Sequence, residues 1–352
     1  MMNPYASLSQ PENLEQSILR VAVVGAGRMG KHHARVYSQL PGCRLVAVID
    51  KDLERAGAVA SEFGGKPFSR MEDLATDLDA ASVAVPTVYH AETAIPLLQR
   101  GVAVLVEKPL APDAAAARSL VEASRKHGRL LQVGHSERFN PVVQAMLRME
   151  VSPKFVEAQR ISPFTFRSAD IGVVFDMMIH DLDIVLHLAG RSECAVDAVG
   201  VNVLGRHEDI ANARLRFADG MVANLTASRL ALKTERRIRV FCPTAYLSMD
   251  YQSKSGIAIK LADNIDLIRM AKERNFEDLS QMAGVDFGSM MKIEPLQVDN
   301  VEPLRAEISA FLDSVRSGQD TGVTAAEGLA AVELAERITR AVREQGWGLS
   351  LP

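Results

Sequence analysis

The chain has 352 residues, 47% hydrophobic and 24% charged, with 40 Lys and Arg against 44 Asp and Glu for a net charge of −4. This composition excludes a disordered chain, a fibre and a disulfide-stapled mini-protein, and leaves no global basic field to hold nucleic acid or an anionic membrane. The three cysteines, Cys43, Cys194 and Cys242, are widely spaced and form no CxxC pair, so the expectation is no disulfide framework, no metal site and a reducing, cytoplasmic setting. Residues 1–17 read as a tail with no secretory pattern, and no apolar run reaches the ~18–20 residues of a membrane-spanning helix.

The first half alternates β-branched runs (Arg20–Val24, Arg44–Ile49, Ala81–Val85, Ala103–Val106, Leu130–Val133) with helical stretches (Met29–Gln39, Leu53–Phe63, Ala91–Gln99, Asp113–Lys126, Pro141–Arg148). Strand then helix with short connections predicts an α/β domain over 18–150 with a doubly wound parallel sheet. From 151 to 352 the pattern changes to α+β. A helix over Val174–Leu188 precedes strands at Asn212–Phe217, Val222–Ser228, Arg237–Phe241 and Ala245–Met249, with a hairpin turn at Ala218-Asp219-Gly220. These strands predict a large, mainly antiparallel open sheet with one apolar face, carrying Val222, Leu225 and Ala227 or their alternates, that favours subunit pairing. Residues 263–292 read as a long loop or subunit arm. Two helices close the chain, Pro303–Ser317 and Ala325–Gln345, the second after a Thr324 cap with Glu327 three residues on. The last helices are expected to pack back on the N-terminal domain.

The first strand runs into Gly25-Ala26-Gly27-Arg28-Met29-Gly30 and then a helix, the context of a dinucleotide fingerprint. Gly25 permits the turn, Gly27 lets backbone approach a pyrophosphate, Gly30 allows close packing, and the helix start at Arg28 and Met29 offers free N–H groups. Asp50 ends the next strand about 20 residues further on, where a carboxylate accepts both ribose hydroxyls and repels a 2′-phosphate, favouring NAD over NADP. Lys51 beside it weakens that preference.

Val106-Glu107-Lys108-Pro109 ends the fourth strand at the carboxyl edge of the sheet, where ligands of such folds bind. Taken alone, Lys108 reads equally as a surface lysine ahead of a loop proline. Asp176 and His180 are four apart, so on a helix they share a face and are expected to hydrogen-bond, fixing the imidazole tautomer and raising its basicity. A structural histidine is the competing reading.

Together these features resemble the glucose-fructose oxidoreductase, inositol dehydrogenase and rhizopine-catabolism (Gfo/Idh/MocA) family, whose fold pairs a Rossmann domain with an α+β domain. The resemblance runs through Gly25 to Gly30, Asp50, Pro86-Thr87 with His90, Glu107-Lys108-Pro109, and Asp176 with His180. It implies cofactor contacts at Pro86, Thr87, His90, Glu107 and Lys108, a catalytic group of Lys108, His180 and Asp176, and a homodimer or homotetramer. The implied chemistry is oxidation of a carbinol, with either His180 or Lys108 taking the hydroxyl proton.

Two segments look like the sugar-nucleotide branch of that family, namely Gly134-His135-Ser136-Glu137-Arg138-Phe139-Asn140-Pro141 and Arg160 to Arg167. The first resembles the GHxERFNP stretch of UDP-N-acetylglucosamine 3-dehydrogenases. On this reading His135, Arg138, Asn140, Phe164, Arg167 and His180 contact a UDP-sugar, with the arginines on pyrophosphate oxygens and Phe164 or Phe166 on a ring face. Arg138 as a helix start and the phenylalanines as core residues are the alternatives. Competing functions are a dehydrogenase or reductase of a free polyol or small carbonyl compound, a glycosidase using transient oxidation, and a non-catalytic NAD(P)-sensing regulator.

Overall fold

A computed structural model describes residues 18–74, 77–164, 171–204, 206–261 and 291–345. The expected tail 1–17, residues 263–290 of the expected arm, and Phe166 and Arg167 lie outside them. The chain divides into two compact units rather than at a single boundary near residue 150. Unit 1 takes residues up to Glu107, Glu122–Gln132 and Ile308–Gly322; unit 2 takes Lys108–Val121, Val133–Glu307 and the residues from Val323 onward.

The first sheet contains β1 (Leu19–Val24), β2 (Cys43–Ile49), β3 (Lys66–Phe68), β4 (Ala80–Val83), β5 (Ala103–Glu107) and β6 (Leu131–Gly134) in the order β3-β2-β1-β4-β5-β6. β1 pairs in parallel with β2 and β4, β2 with β3, and β4 with β5. Val21, Ala22 and Val23 of β1 and the whole of β4 and β5 are buried. Strands covered on both faces require such continuous apolar runs, which is why they were readable. β3 was not expected, since three residues around Pro67 form only an edge strand. Helices α1 (Arg28–Gln39), α2 (Leu53–Phe63), α3 (His90–Gln99) and α4 (Ala114–His127) follow β1, β2, β4 and β5. The strand order reverses between β1 and β4, so the loops after these strands meet at the switch point where dinucleotides bind. The Ile308–Gly322 segment joins unit 1, where Ser314 Oγ accepts from Gln132 Nε2 at 2.9 Å and Arg316 donates to the Gly42 carbonyl at 3.0 Å.

The second sheet has eight strands, β7 (Phe155–Ile161), β8 (Cys194–Val201), β9 (Ile210–Phe217), β10 (Val222–Ser228), β11 (Glu235–Phe241), β12 (Ala245–Asp250), β13 (Ser255–Leu261) and β14 (Met291–Pro295). Their order is β14-β13-β12-β11-β7-β10-β9-β8, antiparallel except for the parallel β7–β10 pair. Met291 and Lys292, expected in the arm, instead begin β14. The unit also holds α5 (Pro141–Leu147), a π-helical turn at Val174–Met178 leading into α6 (Ile179–Ala189), and α8 (Ala325–Glu344), after α7 (Pro303–Ser317). Thr324 and Glu327 form a reciprocal capping box at the start of α8.

One sheet face buries Val156, Ala158, Ala223, Leu225, Ala227, Ile238, Val240 and Leu247. Strand alternation puts Val222 on the opposite face, so the expected trio of Val222, Leu225 and Ala227 does not share a side. That opposite face carries a charged row, in which Arg214 donates to Asn224 and Arg239 to Glu157, next to an apolar row through Val222, Phe155, Phe241, Tyr246, Ile259 and Ile293. Phe155, Phe241 and Tyr246 pack with tilted rings at centroid separations of 5.4 and 4.8 Å.

Candidate active site

In unit 1 the loop after β1 is built for close backbone approach. Gly25 has φ +98°, and a Cβ there would lie 2.6 Å from the Ala84 carbonyl oxygen; a Cβ on Gly30 would lie 1.6 Å from the Gly25 oxygen. A Cβ on Gly27 would meet nothing within 4 Å, so the open space of the loop lies there, at the N-cap of α1, whose first turn has no side-chain cap. Free N–H groups at a positive dipole end beside open space suit a pyrophosphate. Asp50 accepts from the N–H of Ala26 at 2.7 Å and of Asp52 at 3.0 Å, and Arg55 is 3.9 Å away. Its carboxylate thus tethers the glycine turn and retains acceptor capacity for ribose hydroxyls. Arg28 and Lys51 are exposed beside it, and Met29 is half-buried. Residues of this loop and Asp50 therefore fit a dinucleotide.

Pro86 and Thr87 lie on the turn after β4, and His90 is buried with its Nε2 3.0 Å from the Val85 carbonyl, so it braces that turn. Glu107, at the end of β5, closes a buried chain that sequence reasoning did not find. Tyr37 Oη is 2.7 Å from Ser82 Oγ, Ser82 Oγ is 2.9 Å from His33 Nδ1, and His33 Nε2 is 2.7 Å from Glu107 Oε1. The histidine and tyrosine are one helical turn apart on α1, the only available signal in the sequence.

In unit 2, Lys108 donates to the backbone carbonyl of Asp176 at 2.7 Å and lies 3.5 Å from its carboxylate. The expected Asp176–His180 hydrogen bond is absent among the described residues. The π turn is the reason, because an Ile179 N–H to Val174 carbonyl bond widens the helix and takes residues four apart out of line. His180 Nδ1 is enclosed without a partner, and the ring meets His135 edge-on at 6.4 Å. Burial, then the charges of Lys108, Arg160, His135 and Arg236, push the His180 imidazole well below its ordinary value, the reverse of the raised basicity expected. His180 is therefore neutral near pH 7.

The entry to this turn is clamped. Glu208 accepts from the Val174 N–H at 3.2 Å, and a Cβ on Gly172 would lie 2.0 Å from its carboxylate. Arg229, paired with Asp209 at 2.5 Å, donates to the Ile171 carbonyl and covers the Phe164 ring at 5.5 Å. Phe164 is thus the platform for a structural arginine.

Arg138 and Asn140 also differ from expectation. Arg138 donates from Nε and Nη2 to Asp183, and from Nη1 to Glu327 and His187, so its guanidinium is engaged within the protein rather than offered to a phosphate. Burial opposes its charge, but Asp183 and Glu327 outweigh that. Asn140 caps α5 through Val142 and donates to Glu137 and to the Tyr251 carbonyl. Sequence reasoning missed Arg160, which is 3% exposed, donates from Nε and Nη2 to Asp181 at 2.9 Å each and from Nη1 to Glu137 at 3.1 Å, and lies 5.1 Å over the Tyr251 ring. The signal was an arginine in the inward register of β7, in line with Val156 and Ala158.

The sequence matches the profile described as "Oxidoreductase family, NAD-binding Rossmann fold" over residues 19–135 and the "GFO/IDH/MocA C-terminal domain" over 143–248. It is 37% identical over 234 residues to a UDP-N-acetylglucosamine 3-dehydrogenase of Acidithiobacillus ferrooxidans, spanning 66% of this chain and 74% of that one. The solved structure of that enzyme superposes with a TM-score of 0.81 at 31% identity, over 93% of this chain and 98% of that one. An inositol 2-dehydrogenase of Corynebacterium glutamicum is 33% identical over 51% of this chain and 56% of its own. A levoglucosan dehydrogenase in complex with NADH shares the fold at TM-score 0.78 and 17% identity, over 94% of this chain and 98% of that one. On the joint weight of the glycine cradle, the Lys108–Asp176 pair and these matches, the chain belongs to the Gfo/Idh/MocA oxidoreductase family and is an NAD-dependent dehydrogenase.

Proposed function

We propose that the protein oxidises a secondary alcohol of a sugar, with a nucleotide sugar of the UDP-N-acetylglucosamine type as substrate. The observation that carries the reading is the placement of His180, whose Nδ1 is enclosed without a partner among the described residues, in the field of Lys108, itself held by the Asp176 carbonyl. A neutral imidazole accepts the hydroxyl proton, and Lys108, 3.5 Å from the Asp176 carboxylate, steadies the developing alkoxide. These roles assign proton acceptance to His180 rather than Lys108, with Asp176 as the orienting group. NAD, when bound, supplies the hydride acceptor. The Gly25–Gly30 loop with Arg28 and Met29 would hold its pyrophosphate, Asp50 its adenosine ribose, and Pro86, Thr87 and Glu107 would be further contacts. The acidic Asp50 favours NAD over NADP.

Support for the nucleotide sugar comes from the likeness to the Acidithiobacillus enzyme over nearly the whole chain and from the His135–Pro141 segment, whose His135 meets the His180 ring edge-on and whose Glu137 accepts from Arg160. The inositol 2-dehydrogenase relatives favour a free polyol as the second reading. The apolar row through Phe155, Phe241 and Tyr246 on the exposed sheet face supports a homo-oligomer. Formation of NADH, followed by its near-ultraviolet absorbance with a carbonyl trap present, tests the reading. A rise with UDP-N-acetylglucosamine and NAD supports it; a rise only with inositol replaces it with the polyol reading; NADH binding without turnover of either points to a sensor.

A further inference from the structure

Arg160 and Arg236 stand directly opposite each other on β7 and β11. Both belong to the face that buries Ala158 and Ile238, and like charges so placed repel unless something intervenes. Glu137 intervenes, with one carboxylate oxygen 3.1 Å from Arg160 Nη1 and 3.8 Å from Arg236 Nη1. The two arginines are otherwise unlike. Arg160 is enclosed, its fork closed on Asp181 and Glu137. Arg236 has a side chain 45% exposed, and among the described residues its guanidinium makes no hydrogen bond, only the long approach to Glu137. Its backbone is fixed in β11, where its carbonyl accepts from the Tyr251 N–H at 2.9 Å.

This cluster is continuous with the catalytic histidine. Asp181, the partner of Arg160, follows His180 in α6; His135, edge-on to His180, lies two residues before Glu137; and Arg236 is one of the cations whose field reaches the His180 ring. An arginine held at the rim of a reacting site, with its forked donors unsatisfied by protein, is a receptor for an oxyanion with two acceptor oxygens. Arg138, expected in that role, has its guanidinium closed within the fold.

We propose that Arg236, set in place by Glu137, is the residue that grips the phosphate of the substrate and makes this site select a phosphorylated sugar over a neutral one. The inference rests on the nucleotide-sugar reading above and adds to it the group that does the selecting.

The test compares the wild-type protein with Arg236→Ala and Arg236→Lys, using two measurements. One is calorimetric titration of the NADH-loaded protein with UDP; the other is steady-state oxidation of UDP-N-acetylglucosamine and of inositol. The expected result for Arg236→Ala is a loss of UDP affinity and a rise in KM for the nucleotide sugar, each about 10- to 100-fold, with kcat within about twofold. Arg236→Lys should recover part of the loss, and an unchanged melting temperature is expected of a half-exposed position. If the wild type binds UDP and Arg236→Ala binds it equally well, the assignment falls while the nucleotide-sugar reading stands. A fall in kcat with UDP affinity intact overturns it too, by assigning Arg236 to the electrostatics of His180. If the wild type neither binds UDP nor oxidises the nucleotide sugar but does oxidise inositol, the substrate reading itself fails and takes the assignment with it.

Discussion

Lys108 reaches Asp176 through the backbone more closely than through the side chain, with 2.7 Å from Nζ to the carbonyl oxygen against 3.5 Å to the carboxylate. The lysine is thus positioned by the π turn itself, and the carboxylate adds a second, longer contact. Lys108→Ala should lower turnover by ~10²–10⁴ with NADH affinity unchanged. Asp176→Asn keeps the carbonyl acceptor and should lower turnover less. Steady-state kinetics with a parallel NADH fluorescence titration separates the two, and equal losses would give the carboxylate a larger role than geometry assigns it.

His180 sets a pH expectation with a definite sign. Its imidazole is held below the ordinary value of 6.5 in the folded protein, so between that lowered value and 6.5 the unfolded chain binds more protons. The associated stability is fully present above 6.5 and is lost as pH falls toward the folded value. The acid limb of kcat/KM should likewise fall below pH 6.5, and should vanish or move in His180→Gln. A limb at or above 6.5 in the wild type would remove His180 as the proton acceptor.

Asp50 holds the Ala26 N–H, and on the proposed reading it would also accept the ribose hydroxyls of the cofactor. Asp50→Ala should weaken NAD more than NADP, read as the ratio of their KM values, and lower the melting temperature slightly because the glycine turn loses its tether. An unchanged ratio would leave only the tethering role.

Arg138 is expected to act on stability. Removing it leaves Asp183, buried in α6, without its counter-charge, and Arg138→Ala should cost about 3–5 kcal/mol in unfolding free energy. The double variant Arg138→Met with Asp183→Leu should recover part of that, since the fully buried carboxylate is then gone and only the part-exposed Glu327 loses its arginine. Denaturant titration checks both, and a mild single variant would return Arg138 to the list of ligand contacts.

The contrast between Arg138 and Gly25–Gly30 marks where the sequence was legible. The glycine loop, Asp50 and the continuous apolar strands each follow from local chemistry, since steric room and burial on two sides demand those residue types whatever surrounds them. The partners of a charge are not local. Arg138 meets Asp183 and Glu327, and Arg160 meets Asp181, across long sequence separations that a linear pattern does not encode. The π turn is hidden for a related reason, because Val174–Met178 reads as ordinary helix and one added residue in the turn redirects Asp176 from His180 to Lys108. The strand β7 was missed because Arg160 occupies an inward position where an apolar residue would have revealed the alternation.

The two units are woven rather than strung in series, since the backbone passes between them at residues 107, 121, 132, 307 and 322. No single cut releases both units complete, so neither travels as a cassette. Exchanging the cofactor half with a relative would take several splices at once, and a deletion far out in the C-terminal third would withdraw Ile308–Gly322 from the first unit as surely as one near the glycine loop.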